Sequence, residues 1–255
     1  MLPLSLSLPS QDGSHWLAAL AINAALIAAA QRAPLLTPAG WVHAGILGTL
    51  LWGSLGWRGW LAVVAYLALG SAVTKLGFRA KQASGLAEGR GGRRGPENVW
   101  GSALVAAVLA LLTPWAGPWA TLLLLGFAAS LGAKLADTFG SEIGKRWGRH
   151  TVLITTLRPV PRGTEGAISL EGTAASAGGS ALMATVMVGL GVMESPRAWA
   201  LVTGVGLAAT LLESLIGATA QQRLRWLSNE LVNGLQTLVG ALLAIGLARW
   251  VPGVF

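Results

Sequence analysis

The stretch PWATLLLLGFAASLGAKLADTFGSEIGK, Pro118–Lys145, runs from an apolar segment into a charged, glycine-spaced end with no break between them. Its apolar part is long enough to cross roughly 30 Å of hydrocarbon, which takes about 20 helical residues. A membrane span is therefore expected over 118–139, and it carries Lys134 and Asp137 to the membrane edge or into it. Continued as a helix, Asp137, Ser141 and Lys145 share one stripe at i, i+4 and i+8, with Lys134 one turn earlier. Gly140, Gly144 and Gly148 form the adjoining stripe. Carboxylate and hydroxyl oxygens suit Mg²⁺, whose remaining positions are commonly filled by substrate phosphates. Lysine neutralises the same phosphates, and a stripe without side chains lets a backbone or a nucleotide come close. The same spacing also describes a helix-packing glycine face beside a Lys134–Asp137 ion pair, so both readings stand.

Working outward, apolar residues make up 53% of the 255 and charged residues 11%, with a mean hydropathy of +0.61. Apolar runs recur near 16–31, 40–55, 59–74, 98–115, 118–139, 167–192, 198–217 and 231–250. The expected fold is all-α, a polytopic integral membrane helical bundle of seven or eight spans forming one domain over 1–255. The run Trp16–Ala30 follows only one charged residue, Asp12, and lacks the basic segment of a signal peptide, so it reads as a retained helix. Absence of cysteine excludes disulfides, thiolate chemistry and cysteine metal sites. His15, His43 and His150 lie far apart, and no Walker or Rossmann fingerprint is present.

Thirteen of the 18 Lys and Arg fall on three alternate loops: Lys75, Arg79, Lys81, Arg90, Arg93 and Arg94 on 75–97, Lys145, Arg146, Arg149, Arg158 and Arg162 on 140–165, and Arg223 and Arg225 on 218–230. The positive-inside rule makes those loops cytoplasmic and puts both termini on the other side. The sequence pI of 11.3 thus reflects topology as much as partners, and nucleic acid is not expected among them.

Only ten residues are acidic, and Asp137, Glu142, Glu171 and Glu213 lie in or at the ends of apolar stretches. A carboxylate at bilayer depth costs about 2.5–3.5 kcal/mol on insertion scales, which marks these four as functional candidates. A weak repeat links them. GPENVWGS (Gly95–Ser102) resembles GAISLEGT (Gly166–Thr173), and GAKLADTFG (Gly132–Gly140) resembles AATLLESLIG (Ala208–Gly217), with offsets of 71 and 76 that pair Asp137 with Glu213. Each unit holds two helices, so the copies run parallel and gather their acids at one membrane face. A fainter copy, Gly70–Gly77, has Lys75 where the others have acid.

Two loops carry phosphate chemistry. In ITTLRPVPRGTEGAISLEGT (Ile154–Thr173), Arg158 and Arg162 offer guanidinium forks, while Gly163, Thr164 and Gly166 precede a helix start and offer an anion nest. In EGRGGRRGPEN (Glu88–Asn98), a basic glycine-rich turn can fold over a triphosphate and brings in Arg93, Arg94 and Asn98. Solvated or snorkelling loops would have the same composition. In the last span Asn229, Asn233, Gln236, Thr237 and Gly240 share one side, beside Glu230, and are expected to face protein or a wet cavity. Ser169, Thr173, Ser176 and Ser180 share a face of the 167–192 span and read as packing contacts.

The blocks TKLGFRAKQASGLAE, RGGRRGPENVWGSA, GAKLADTFGSEIGK, ITTLRPVPRGTEGAISLEGT and LLESLIGA together resemble the phytyl phosphate kinase family of cyanobacterial and plastid membranes, over roughly residues 60–245. The resemblance implies transfer of the terminal phosphate of a nucleotide, CTP, to phytyl phosphate, an isoprenoid monophosphate lipid, in an inner or thylakoid membrane with the site facing the cytoplasm. The product would be phytyl diphosphate for tocopherol synthesis. On the physical reading, Asp137, Glu142, Glu171 and Glu213 hold Mg²⁺, and Lys134, Lys145, Arg158 and Arg162 take phosphate oxygens. Lys75, Arg93 and Arg94 are expected to meet the lipid phosphate. A prenol kinase, in which Asp137 or Glu142 activates a hydroxyl, and a carrier of a phosphorylated lipid are the alternatives.

Overall fold

A computed structural model describes residues 8–224 and 226–255. Arg225, the last cation of the third basic loop, lies outside the described residues. The elements in order are α1 (Gly13–Ala30), α2 (Pro38–Lys75), α3 (Phe78–Ala83), α4 (Pro96–Leu112), α5 (Ala120–Trp147), the two-residue strands β1 (Val152–Leu153) and β2 (Ala167–Ile168), α6 (Leu170–Gly189), α7 (Pro196–Ala218), α8 (Ala220–Arg223) and α9 (Asn229–Ala248). β1 and β2 pair antiparallel, Val152 opposite Ile168. By length and composition, six helical segments can cross a membrane: α1, α2, α7, α9 and the segments Pro96–Trp115 and Gly117–Trp147 built on α4 and α5.

A straight α2 of 38 residues would reach about 57 Å, far more than a bilayer needs. The chain instead reverses at Gly56, whose φ of 71° and ψ of −166° interrupt the helix. Trp52 and Trp60 stack edge to face with centroids 5.5 Å apart, and a Cβ on Gly59 would lie 3.3 Å from the Leu51 carbonyl oxygen. Both contacts require two antiparallel arms, since eight residues of one rod span about 12 Å. The arms coincide with the separate spans expected at 40–55 and 59–74. With α6, whose glycines, serines and threonines lower its hydropathy, the described residues form eight long rods.

α5 is the axis. It touches α2, α4, α6, α7 and α9, and its residues from Leu124 to Ala136 are all buried. Small residues permit this crowding. A Cβ on Gly140 would fall 2.0 Å from Ser176 Oγ, and one on Gly172 of α6 would fall 3.0 Å from the Gly140 carbonyl oxygen. The glycine stripe read in the sequence therefore admits another backbone, that of α6. On α9, a Cβ at Gly240 would come within 2.9 Å of Ala133.

The two arms of α2, the pair α4–α5 and the pair α6–α7 are three hairpins that start and finish at the same end of the bundle. The repeat is thus parallel, but its register differs from the sequence match. Gly95 caps α4 and Ser169 caps α6, an offset of 74, which places Glu97 and Glu171 alike at the second helical position. The offset of 71 matched glycines instead of helix starts, because Ala167 and Ile168 form β2 before α6 begins.

The opposite end of the bundle holds the beginning of α1, where Gln11 donates to the Gly53 carbonyl at 3.2 Å, and the end of α9, where Ser195 donates to the Gly253 carbonyl at 2.5 Å. Arg58, Arg197 and Arg249 are the Lys and Arg at that end among the described residues.

Space is open around Gly56, with Pro9 Cδ at 3.9 Å as its nearest neighbour, so the constraint there is backbone conformation and not packing. That φ/ψ region belongs almost wholly to glycine, and strain of about 1–3 kcal/mol is expected from a side chain. Gly56→Ala should lower the unfolding temperature in detergent, whereas Gly178→Ala, on α6 with nothing within 4 Å, should leave it within error or raise it slightly. Fluorescence-monitored melting of the two variants checks this.

Candidate active site

At the end of the bundle where the hairpins begin and finish lies a cavity of ≈ 630 Å³. Its floor is α5, with Lys134, Asp137, Thr138, Ser141, Glu142 and Lys145 on the wall. The walls add Tyr66 and Thr74 from α2, Asn98 and Ser102 from α4, Thr173 and Ser176 from α6, Thr210 and Glu213 from α7, and Asn229, Glu230 and Asn233 from α9. Two loops complete it: 85–94, with Glu88, Arg90, Arg93 and Arg94, and 162–169, with Arg162, Gly163, Thr164 and Glu165. Six of the ten acidic residues of the chain line this one space.

The charges are arranged in pairs and in unpaired groups. Lys134, buried on α5, forms an ion pair with Asp137 and donates to Asn233 Oδ1 at 2.9 Å. Glu142, also buried, pairs with Lys81 of α3, which in turn donates to the Thr74 carbonyl at 2.8 Å. At the rim Lys145 meets Glu88 at 2.9 Å, and Arg90 meets Glu97 and the Asn98 amide oxygen. Burial pushes the Glu88 carboxyl up, but the neighbouring Lys145 ammonium, together with Lys134 and Arg94, outweighs it and holds the group below the usual carboxylate range. Arg93, Arg94 and Arg162 have no carboxylate within ion-pair distance among the described residues; Arg94 bonds Tyr66 Oη at 2.8 Å and Arg162 the Arg146 carbonyl at 3.1 Å.

Local chemistry explains the loops. Gly163 and Gly166 have φ of 82° and 75°, so the chain turns sharply twice before α6. A Cβ on Gly166 would meet Ala218 at 2.4 Å and one on Gly163 would meet Leu86 at 2.6 Å, which seats this loop on the end of α7 and against the 85–94 loop. Ser169 caps α6 by accepting from Gly172 N at 3.1 Å, and Asn98 closes the start of α4 by accepting from Gly95 N at 2.9 Å.

Of the residues singled out from sequence, the cavity brings together Lys134, Asp137, Ser141, Glu142, Lys145, Arg93, Arg94, Asn98, Arg162, Gly163, Thr164 and Glu213. It does not include Lys75, Arg158 or Glu171. Lys75 is exposed at the end of α2, where its neighbour Thr74 points inward instead. Arg158 is exposed on the outside of the β1–β2 loop, its backbone carbonyl bonded to Leu153 N at 3.0 Å. Glu171 faces away from the cavity, accepting from Arg149 N at 3.3 Å, and so leaves the metal set. Glu142 keeps its place on the wall but shares its charge with Lys81.

Sequence reading missed Lys81 as a site residue, along with Tyr66, Ser102, Glu88 and Glu165. A lysine among basic neighbours gives no sign that it alone is buried. Thr173 and Ser176 read as packing contacts, yet both line the cavity, while Ser180 does pack, donating to the Val202 carbonyl at 3.1 Å. Asn233 and Gln236 face inward as expected, Gln236 donating to the Ala133 carbonyl at 2.9 Å and to Thr210 Oγ1 at 3.1 Å.

Fold and site together define a helical integral membrane protein that opens a polar, charge-lined cavity at one end of its bundle. Residues 21–241 match the family described as Integral membrane protein DUF92, and the chain belongs to that family. It is 51% identical over 235 residues to an uncharacterized membrane protein of Synechocystis, covering 91% of each chain. It is 41% identical over 221 residues to Protein VTE6, chloroplastic, of Arabidopsis thaliana, covering 85% of this chain and 66% of that one. An uncharacterized membrane protein of Methanocaldococcus jannaschii is 30% identical over 206 residues, 81% of this chain and 83% of the other. No solved structure matches the chain. The family resemblance drawn from the sequence blocks holds.

The buried Lys81–Glu142 pair sets a test of the architecture. Removing one partner of a buried pair leaves an uncompensated charge and costs about 3–5 kcal/mol, whereas replacing both with apolar groups is often neutral. Lys81→Met should therefore melt well below the parent protein in detergent, and Lys81→Met/Glu142→Leu should recover most of the loss. A double variant no more stable than the single one would show that the loss does not come from an uncompensated Glu142 charge.

Proposed function

We propose that the protein is a nucleotide-dependent kinase of an isoprenoid monophosphate, transferring the terminal phosphate of CTP to phytyl phosphate to give phytyl diphosphate for tocopherol synthesis. The observation that carries this reading is a single cavity, within an apolar bundle, that combines carboxylates with three arginines that have no carboxylate within ion-pair distance among the described residues. Phosphoryl transfer between two phosphates needs little covalent help and much positioning and charge neutralisation. Kinship with Protein VTE6 and the sequence blocks shared with phytyl phosphate kinases support the substrate class.

Mg²⁺ fits the residues present. Among the described residues no three Asp, Glu, His or Cys side chains gather as a metal-ligand set, so the protein would supply one or two carboxylates, and of the six on the wall Asp137 and Glu213 are the two assigned to it. That is the usual protein share for Mg²⁺ on a nucleotide, where phosphates and water complete the shell. When bound, the ion neutralises charge on the nucleotide phosphates. Arg162, with Gly163 and Thr164, and Lys145 then hold the nucleotide phosphates, and Lys134 keeps Asp137 oriented. An oxygen of the acceptor phosphate attacks the terminal phosphorus, the bond to the β-phosphate breaks, and CDP departs. The acceptor is already ionised at neutral pH, so no side chain has to take a proton from it.

The cationic end of the bundle is the cytoplasmic one in this reading, by the positive-inside rule. A carrier would instead call for a site near the midplane, typically between inverted repeats. Here the hairpins run parallel, not inverted, and the cavity opens at one end.

Purified protein with Mg²⁺, each of four nucleoside triphosphates, and phytol or phytyl phosphate, with products resolved by mass, is the direct test. Lipid diphosphate is expected from phytyl phosphate with CTP; product from phytol alone would favour the prenol kinase. Asp137→Asn should abolish turnover in a protein that still melts cooperatively, and near-normal rates at saturating Mg²⁺ would remove Asp137 from the metal site. Arg162→Ala should raise the nucleotide KM at least tenfold with poor rescue by lysine, whose point charge lacks the bidentate fork. Arg158→Ala should leave the KM within twofold.

Sidedness gives an independent check. CTP does not cross a bilayer unaided, because moving a polyanion into hydrocarbon is prohibitive. Sealed vesicles given external CTP should make lipid diphosphate only when the cationic end of the bundle faces outward, and equal activity in both orientations would overturn the topology.

A further inference from the structure

We propose that Arg94, Tyr66 and Ser102 form a second, deep anion subsite that takes the phosphate monoester of the lipid acceptor, separate from the nucleotide phosphates held around Arg162. This rests on the kinase reading above and assigns the two substrates to opposite walls of its cavity.

Arg94 is held through both its main chain and its side chain. Its N–H donates to the Leu35 carbonyl at 3.0 Å and its carbonyl accepts from Thr37 N at 3.0 Å, so the main chain is held against the start of α2. Its guanidinium lies over the Tyr66 ring, 5.2 Å from the centroid, and donates to Tyr66 Oη at 2.8 Å. A Cβ on Gly70 would sit 2.6 Å from Arg94 Nη2, so α2 leaves out a side chain where the fork lies. Among the described residues no carboxylate lies within ion-pair distance of this cation, although Arg90, four residues earlier, pairs with Glu97. A guanidinium carried into an apolar bundle with no carboxylate in direct contact, yet held in one orientation and open to a cavity, is built for an anion that arrives from outside the chain.

Depth identifies which anion. Tyr66 lies nine residues before the end of α2, roughly 13 Å along the helix from its mouth, and is buried at 4% exposure. Ser102, on the facing helix α4, is buried and also lines the cavity. A free nucleotide phosphate reaching this level gives up water with nothing in return from hydrocarbon. A phosphate monoester on a prenyl chain gains from burial of its tail, at about 0.8 kcal/mol per CH₂. Arg162 and Lys145, on the mouth loop and the last turns of α5, stay where a water-soluble nucleotide arrives.

The test measures two affinities on purified full-length protein in nanodiscs, using radiolabelled phytyl monophosphate and, separately, CTP with Mg²⁺. Arg94→Lys should weaken lipid monophosphate binding at least tenfold and change CTP binding less than twofold, and Tyr66→Phe, which keeps the ring and removes the hydroxyl acceptor, should weaken it severalfold. Arg162→Lys should show the reverse pattern. Inorganic phosphate should compete with the labelled lipid only at far higher concentration; equal competition would mean a phosphate site that ignores the tail and would overturn the assignment. Loss of CTP binding in Arg94→Lys with lipid binding intact would also overturn it, as would unchanged binding of both in Arg94→Lys and Tyr66→Phe. If the wild type binds the lipid monophosphate through Arg94 but forms no diphosphate with any nucleotide, the subsite stands and the kinase reading falls.

Discussion

Lys134 has to be answered inside the bundle, and much of the architecture follows from how that is done. It is buried on the central helix α5, where a bare ammonium would be untenable. Asp137 supplies the charge from one turn away and Asn233 supplies an oxygen from α9. That second contact fixes α9 beside α5, and the residues of α9 one turn further in, Gln236 and Thr237, are buried with it. Gln236 then reaches both the Ala133 carbonyl and Thr210, which ties α7 into the same network and brings Glu213, one turn beyond Thr210, to the cavity. A single buried cation thus orders three helices and aims their polar ends at one space.

The other side of α5 solves a different problem with glycine. Gly140 and Gly172 let α5 and α6 approach until each backbone carbonyl occupies the place of the other's missing side chain. Without a hydrophobic drive between helices in lipid, this close packing is a main source of association. It also sets the cavity's geometry, since α6 begins at Ser169 only because the chain turns through the left-handed Gly163 and Gly166 just before it. The loop that carries Arg162 is therefore placed by packing, and its contact with Leu86 couples it to the loop that carries Arg93 and Arg94.

The membrane class, the spans and the face where charge gathers were legible because hydropathy and helical period act within a single segment. The stripe Asp137, Ser141, Lys145 was visible for the same reason. What sequence could not supply was direction across elements. Glu171 and Glu142 looked alike as acids at helix ends, yet one faces Arg149 outside the cavity and the other is buried against Lys81, a choice made by rotation of α6 and by the docking of α3. Arg158 and Arg162 were equivalent on a proline-rich loop until the β1–β2 pairing turned the first outward. The repeat register slipped by three residues because glycine and hydroxyl matches outweighed the caps that start the helices.

Charge balance then constrains what the cavity can receive. Its wall carries Arg90, Arg93, Arg94, Lys134, Lys145 and Arg162 against Glu88, Asp137, Glu142, Glu165, Glu213 and Glu230, so the ionised wall is formally neutral, and Lys81 behind it adds one positive charge. Such a wall does not attract two polyanions by net charge. On the proposed kinase reading its cations and anions are used separately, arginines toward phosphate oxygens and carboxylates toward a divalent ion that enters with the nucleotide. The ion pairs at Glu88–Lys145 and Arg90–Glu97 satisfy two of these cations within the chain, which keeps a charge-lined space stable. Arg94 stands outside those pairs, bonded to the Tyr66 hydroxyl, so like Arg93 and Arg162 it can meet an anion without displacing an acid from an ion pair among the described residues.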